Sequence, residues 1–182
     1  GSSAVELFDL YTADRVKTNR TMVRGEQTPE GCYRLVVHVC IFNPEGQMLI
    51  QQRQPFKRGW SNLWDITVGG SAVSGDSSRS AAERETFEEL GLPIDLSDIR
   101  PTLTIYWEHG FDDYYVLTRS VDLNTLHLQY EEVQAVRWAS KEEILQMIDS
   151  GLFIPYEKSL IELLFFRRDH RSSHTREDPT ND

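Results

Sequence analysis

Cysteine is scarce in this sequence, with only Cys32 and Cys40 and no Cys-x-x-Cys spacing. Two cysteines are too few for a disulfide framework, and their spacing does not fit a zinc site. They are expected to be small buried side chains in a reducing compartment. The chain also lacks an apolar run long enough to cross a bilayer and a basic-then-apolar secretory signal. These absences predict a cytoplasmic protein that does not bind membranes.

Positive charge is also limited, because 19 Lys and Arg residues face 29 Asp and Glu residues, giving a formal net charge of −10. Such a surface repels a phosphate backbone unless its cations cluster, which argues against binding of a nucleic-acid polymer. The excess of carboxylates is instead compatible with a hard divalent cation, which takes oxygen ligands.

The length of 182 residues suits one domain. Residues 1–3, Gly-Ser-Ser, are typical of a cloning remnant. Residues 4–168 are expected to form a single domain, of which 4–31 are an N-terminal extension. Residues 169–182 have almost no apolar side chains and are expected to form a flexible tail.

Hydrophobic alternation and turn residues predict strands that alternate with helices along the chain. The run 33–42 is apolar on both faces and should lie in the centre of a sheet, with 47–53 pairing back on it as a hairpin. The pattern favours an α/β fold with helices on both faces of a mixed sheet. Further strands are predicted at 5–11, 64–68, 102–108, 114–121 and 133–138, with a turn at 109–113, and helices at 76–90, 140–151 and 156–168.

Three carboxylates crowd one face of the predicted helix 76–90. Stepping about 100° per residue from Glu85 places Glu88 and Glu89 within an arc of about 100°. Like charges at these spacings destabilise a helix, and Arg84 is the only nearby residue in sequence that offsets them. A bound cation such as Mg²⁺ would relieve the repulsion and could bridge the carboxylates to substrate phosphates. A solvated acidic helix face is the alternative when this turn is considered alone.

The flanking residues decide against that alternative. The segment from Gly70 to Leu92 resembles the signature of the Nudix hydrolase family, Gly-x5-Glu-x7-Arg-Glu-U-x-Glu-Glu-x-Gly-U, where U is a bulky aliphatic residue. The resemblance implies that roughly residues 33–168 adopt the family's α/β/α sandwich. Asp76 stands where the family has its first glutamate, and it is expected to be structural as the N-cap of the helix. Thr86 replaces the first bulky aliphatic residue.

The resemblance further implies which residues carry the chemistry. Glu85, Glu88 and Glu89 would hold Mg²⁺ or Mn²⁺ together with the carbonyl oxygen of Gly70, and Arg84 would orient the glutamates. The implied reaction is attack of water on a phosphorus atom of a small-molecule diphosphate. The family takes its general base either from these helix glutamates or from an acid on a later loop, for which Glu131 and Glu132 are the candidates here.

Substrate contacts are expected from a basic, aromatic loop that follows the strand 47–53. Arg53 suits bidentate contact with phosphate, while Lys57, Arg58 and Trp60 could hold a phosphate and stack on a base. The alternative is a solvated loop anchored by one buried tryptophan.

Two other functions stay open at this point. The hairpin region resembles the isopentenyl-diphosphate isomerase branch of the family, but residues 67–71 lack the cysteine and histidine that the resemblance would require of an isomerase. A catalytically silent nucleotide-binding module is the other alternative, although all three helix glutamates are present. A homodimer is compatible with each of these functions, because symmetric pairs are common.

Overall fold

The computed structural model describes residues 5–170, 172–176 and 178–180, so the predicted cloning remnant lies outside the described residues. Nine strands and three α-helices are found in this part of the chain. The strands are β1 (Leu7–Tyr11), β2 (Lys17–Val23), β3 (Arg34–Phe42), β4 (Met48–Arg53), β5 (Trp64–Asp65), β6 (Val68–Ser71), β7 (Leu103–Trp107), β8 (Gly110–Thr118) and β9 (Val133–Ala139). The helices are α1 (Ser78–Leu90), α2 (Lys141–Asp149) and α3 (Lys158–Arg167).

Strand β3 lies at the centre of a mixed seven-stranded sheet, as its apolar sequence predicts. It pairs in parallel with β8 along its whole length and antiparallel with β6. The predicted hairpin of β3 and β4 pairs at Phe42 and Met48, after which β4 continues along β9 and β5. Beyond this pairing, β3 lies between β6 and β8, whereas β4 lies between β5 and β9.

The two faces of the sheet are covered by different helices, because the side chains of β3 alternate in direction. Val37 and Val39 pack in a core with the buried face of α1, whereas Cys40 and Phe42 pack in a second core with α2 and α3. This arrangement confirms the predicted α/β/α sandwich. Cys32 and Cys40 are both free and buried, as expected.

Three element predictions were wrong in detail. The polar stretch before Gly31 contains strand β2, whose side chains are mostly exposed and so give no apolar alternation. The turn predicted at 109–113 is shorter, since Gly110 already begins β8 and the carboxylates of Asp112 and Asp113 find hydrogen-bond donors within the sheet. The single strand predicted at 64–68 is two short strands that pair with different neighbours, β5 with β4 and β6 with β3.

The hairpin of β1 and β2 has its own small core and contacts the loop that precedes α1. Asp9 accepts hydrogen bonds from the Ser74 hydroxyl and the Gly75 amide at 2.8 and 2.9 Å. Lys17 donates to the carbonyl oxygen of Asp76 at 2.9 Å. In the described part of the chain, no helix is long and apolar enough to cross a membrane.

Candidate active site

The N-cap of helix α1 lies one residue later than the sequence predicts. Ser77 is the N-cap and forms a capping box with Ser80, so the expectation that Asp76 caps the helix was wrong. Asp76 instead accepts hydrogen bonds from the Val73 amide and the Arg84 guanidinium, both at 2.9 Å. The shorter carboxylate thus connects the preceding loop to the middle of the helix.

The rest of α1 follows its sequence closely. Ala82, Thr86 and Leu90 are fully buried and form the predicted stripe against the sheet. The Thr86 hydroxyl donates to the carbonyl oxygen of Ala82 at 2.8 Å, so this polar group is satisfied inside the core. Gly91 ends the helix in the left-handed conformation, with φ of 66°.

Arg84 gathers the carboxylates around the exposed side of the helix. Its guanidinium contacts Glu85 at 3.1 Å, Glu88 at 3.2 Å and Asp76 at 2.9 Å. Burial alone would lower the pKa of Arg84, but these carboxylates outweigh it and raise the pKa. This geometry suits the orienting role predicted for Arg84.

Glu89 is the most buried of the helix glutamates, with 6% of its surface exposed. Its carboxyl accepts a hydrogen bond from the Gln51 amide at 2.9 Å and lies next to the carboxyl of Glu85. Burial is the main reason that the pKa of Glu89 lies well above the usual range, and burial also raises the pKa of Glu85. Two carboxyl groups are therefore held together with little solvent to screen their charges.

The backbone of β6 approaches this pair closely at Gly70. A Cβ atom at this position would lie 2.5 Å from the Cδ of Glu85, a distance that real side chains do not tolerate. Only glycine lets the backbone and the carboxyl group come so near. The predicted contribution of the Gly70 carbonyl oxygen is compatible with this approach.

The predicted set of three glutamates is only partly assembled. Among the described residues, no three acidic, histidine or cysteine side chains are close enough to hold a metal ion. Glu85 and Glu89 converge, but Glu88 is half-exposed and pairs with the Arg84 guanidinium, which occupies the place of a metal ion. Two crowded carboxyl groups beside a close backbone are nevertheless hard oxygen donors, and Mg²⁺ commonly keeps several waters. The residues fit a divalent cation once Glu88 leaves Arg84.

The substrate residues predicted at the end of β4 and in the loop of residues 54–63 differ in availability. Arg53 donates to the Gly59 carbonyl oxygen at 3.1 Å, and Lys57 forms an ion pair with Glu132 at 2.6 Å. Arg58 is exposed. Trp60 is 54% exposed, so the alternative of a loop anchored by a buried tryptophan was wrong.

Of the two acids proposed as the general base, Glu132 is the better placed. The Gln129 amide donates to the carbonyl oxygen of Glu89 at 2.9 Å and the Glu132 amide to that of Gln129 at 3.0 Å, so Glu132 lies on a turn that contacts α1. Glu131 is exposed. Sequence analysis missed the exposed rings of Phe56 and Tyr130, which lie 5.6 Å apart between the two loops.

Comparisons with known proteins agree with this architecture. The family model for the NUDIX domain matches residues 33–158 of this chain. The chain is 51% identical over 152 residues to the uncharacterized Nudix hydrolase lin0387 of Listeria innocua, covering 84% of this chain and 90% of that protein. It resembles the crystal structure of DR0079 from Deinococcus radiodurans with a TM-score of 0.72 and 25% identity, covering 87% and 99% of the two chains.

An isomerase is also among the relatives. The isopentenyl-diphosphate Delta-isomerase of Citrobacter koseri is 23% identical over 131 residues, covering 68% of this chain and 71% of that enzyme. This likeness is much weaker than the one to lin0387. With the family model matching most of the chain and a named hydrolase at about half identity, the chain belongs to the Nudix hydrolase family.

Proposed function

We propose that this protein is a divalent-metal-dependent diphosphatase that acts on a nucleoside diphosphate derivative or a similar small metabolite. The observation that carries the proposal is the buried pair of Glu85 and Glu89, held against the backbone at Gly70 on the helix that bears the family signature. Nudix hydrolases generally use divalent metals and cleave diphosphate linkages. Mg²⁺ or Mn²⁺ is the cation proposed here.

Some residues of the protein would hold that cation, and Arg84 would orient them. Glu85, Glu89 and the Gly70 carbonyl oxygen would hold it, and Glu88 would join them on exchanging Arg84 for the cation. A bound Mg²⁺ or Mn²⁺ supplies neutralisation of the diphosphate charge and makes a nearby water more acidic. Arg84 keeps its contacts with Asp76 and Glu85, and so fixes the direction of the carboxyl groups.

The reaction forms a bond from water oxygen to phosphorus and breaks the bond from that phosphorus to the bridging oxygen. The water gives up a proton to a carboxylate, for which the helix glutamates, Glu132 and Glu131 are the proposed acceptors. The bridging oxygen leaves on the second phosphoryl group. Lys57 contacts one carboxylate oxygen of Glu132, and an incoming phosphate would offer Lys57 another anionic partner.

The loop residues supply the substrate contacts in this proposal. Arg53, Lys57 and Arg58 would bind phosphate oxygens, because guanidinium and ammonium groups donate several charge-assisted hydrogen bonds. Trp60 is exposed, as are the paired rings of Phe56 and Tyr130, and these offer surfaces on which a planar base can stack.

The alternative functions find less support. Residues 67–71 contain neither the cysteine nor the histidine expected of the isomerase branch, and burial raises the pKa of the nearest strand thiol, Cys40, so it is a poor acid–base group. A silent binding module would have no need for three intact helix glutamates. The cytoplasmic location and a homodimer stay predictions.

A panel of diphosphate compounds tests the proposal directly. Phosphate or monophosphate release is measured for nucleoside triphosphates, nucleotide sugars, dinucleotides and prenyl diphosphates, with Mg²⁺, with Mn²⁺ and with a chelator. We expect release from at least one nucleotide class that depends on added metal and disappears on chelation. Turnover that survives chelation would contradict the metal role, and isomerisation of isopentenyl diphosphate without phosphate release would favour the isomerase.

A smaller change probes the approach of β6 to the helix. Gly70→Ala places a methyl group 2.5 Å from the Glu85 Cδ, and the flexible carboxyl end must move aside. We expect kcat to fall by about 10- to 100-fold, since small displacements of catalytic groups are costly, with little change in melting temperature. Gly59→Ala is the matched control, because its added methyl group meets nothing within 4 Å. Equal activity of the two variants would show that the close approach is unimportant.

A further inference from the structure

A second candidate binding site lies at the C-terminal end of β8. A cleft of about 620 Å³ opens between the end of β8, the loop before β7 and the C-terminal end of α3. Such a volume is in the range of small-molecule sites. Its charged and titratable lining residues in the described part of the chain are Asp98, Arg100, Arg119, Arg167, Arg168 and His170.

The lining of this cleft is positively charged, whereas the protein as a whole is negatively charged. Four arginines and one aspartate give the lining a formal charge of +3 with His170 neutral, whereas the chain carries −10. Concave surfaces of one sign concentrate counter-ions of the other sign. A positive concavity in an acidic protein therefore favours small anions over a nucleic-acid polymer, which the rest of the surface repels.

Structural roles account for part of this cluster but not for all of it. Arg168 lies over the rings of Phe42 and Phe165, donates to the Gly46 carbonyl oxygen at 2.9 Å and pairs with Asp169 at 3.1 Å. Arg167 and Arg168 also lie at the C-terminal end of α3, where cations stabilise a helix. These two arginines form a fixed wall of the cleft.

Arg100 and Arg119 form the other side and have no such explanation. Both are exposed, and within the described residues neither forms an ion pair with a carboxylate. Among the described residues, the Arg119 guanidinium donates to the carbonyl oxygen of its neighbour Thr118. Their guanidinium groups are available to a ligand, and the planar fork of arginine matches phosphate oxygens.

The cleft is separate from the proposed active site. Gly70 pairs with Val37 in β3, while the part of β8 that lines the cleft, 116–118, pairs with residues 40–42 of the same strand. Three to five residues of strand separate these levels by about 10–16 Å. The cleft also borders α3 on one face of the sheet, whereas the glutamates project from α1 on the other.

We propose that this arginine-lined cleft binds a small anion that carries a diphosphate group, independently of the catalytic metal. Two phosphoryl groups provide enough oxygens for both walls, with Arg100 and Arg119 on one and the arginines of α3 on the other. The site goes beyond the proposed hydrolase function, since it uses none of the catalytic glutamates.

Calorimetric titration of the full chain with inorganic pyrophosphate, in excess chelator and at low ionic strength, tests this site without any hydrolysis. We expect binding that Arg100→Gln/Arg119→Gln weakens by about tenfold or more, because charge-assisted hydrogen bonds are lost. Arg20→Gln/Arg24→Gln is the matched control. It changes net charge equally on exposed residues far from the cleft and should alter affinity by less than about threefold.

Two further variants make each outcome decisive. Arg53→Gln/Lys57→Gln alters the proposed substrate loop and should weaken this pyrophosphate affinity less than Arg100→Gln/Arg119→Gln does, because in excess chelator no metal links pyrophosphate to the helix glutamates. If the first double variant melts early, Arg100→Lys/Arg119→Lys keeps the charge without the planar fork and should still weaken binding. The proposal fails if pyrophosphate does not bind, if the control pair weakens binding as much, or if only the substrate-loop variant does. None of these results bears on metal-dependent hydrolysis.

Discussion

Replacing Glu89 by glutamine is expected to lower kcat by about 10²- to 10⁴-fold while the melting temperature stays the same or rises. Glu89 is 6% exposed, accepts a hydrogen bond from Gln51 and lies next to the carboxyl of Glu85. An amide has the same shape, keeps an oxygen to accept from Gln51, and removes the repulsion between two buried acids. Activity and stability should therefore move in different directions, which a purely structural glutamate would not allow.

The measurement pairs steady-state kinetics on the best diphosphate substrate with thermal unfolding of the same preparation. Glu83→Gln is the matched control: Glu83 is on the same helix, but its carboxylate accepts from the Leu96 amide at 2.9 Å, away from the metal ligands proposed here. We expect this control to retain kcat. A Glu89→Gln variant that unfolds early with unchanged kcat when folded would show that the buried acid serves packing alone.

Local sequence patterns were sufficient to predict α1. The buried stripe of Ala82, Thr86 and Leu90, and the terminating Gly91, depend on residues within a few positions of one another. Helical periodicity and capping chemistry act over the same short range. Even the error at Asp76 was local, because two adjacent residues could each cap the helix and Ser77 does so with Ser80.

The surroundings of the helix could not be predicted in the same way. Gln51 is 38 residues from Glu89, Lys57 is 75 residues from Glu132, and Arg15 is 98 residues from Asp113. No periodicity links such pairs, since their contact depends on how the strands are ordered in the sheet. Strand β2 was missed for a related reason, as pairing with β1 rather than burial of alternate side chains defines it.

The longest of these pairings joins the N-terminal hairpin to the start of α1. Arg15 forms a bidentate ion pair with Asp113, whose carboxylate is fully buried. Asp113 also accepts hydrogen bonds from the hydroxyl groups of Thr104 and of Ser78, the first residue of α1, each at 2.6 Å. The hairpin lies outside the region that matches the family model, yet it supplies the counter-charge for this network.

Arg15→Met is therefore expected to destabilise the protein by about 3 kcal/mol, because it leaves a buried carboxylate without its cation. This figure lies at the lower end of the range for buried pairs, since 31% of the Arg15 side chain is exposed. For a chain of this length the melting temperature should fall by about 6–12 °C.

Arg24→Met is the matched control. Arg24 also lies in the hairpin over a phenylalanine ring, but it pairs with the exposed Glu6. Its loss should therefore cost less than about 1 kcal/mol. Equal destabilisation by both variants would show that burial of Asp113 does not matter.

The pH dependence of stability separates loss of this charge pair from loss of packing. Burial alone would raise the pKa of Asp113, but hydrogen bonds from Arg15, Ser78 and Thr104 outweigh it, and the pKa falls below its ordinary value of 3.8. A carboxyl group with a lowered pKa in the folded state stabilises that state above the unfolded pKa, and the contribution disappears as the pH falls through the folded pKa. Denaturant unfolding of the wild type and Asp113→Asn should therefore differ most near pH 7, with the difference shrinking progressively below about pH 4. A difference that stays constant to pH 2 would mean that the ionised carboxylate contributes nothing beyond its shape, and that the hairpin supports α1 by packing alone.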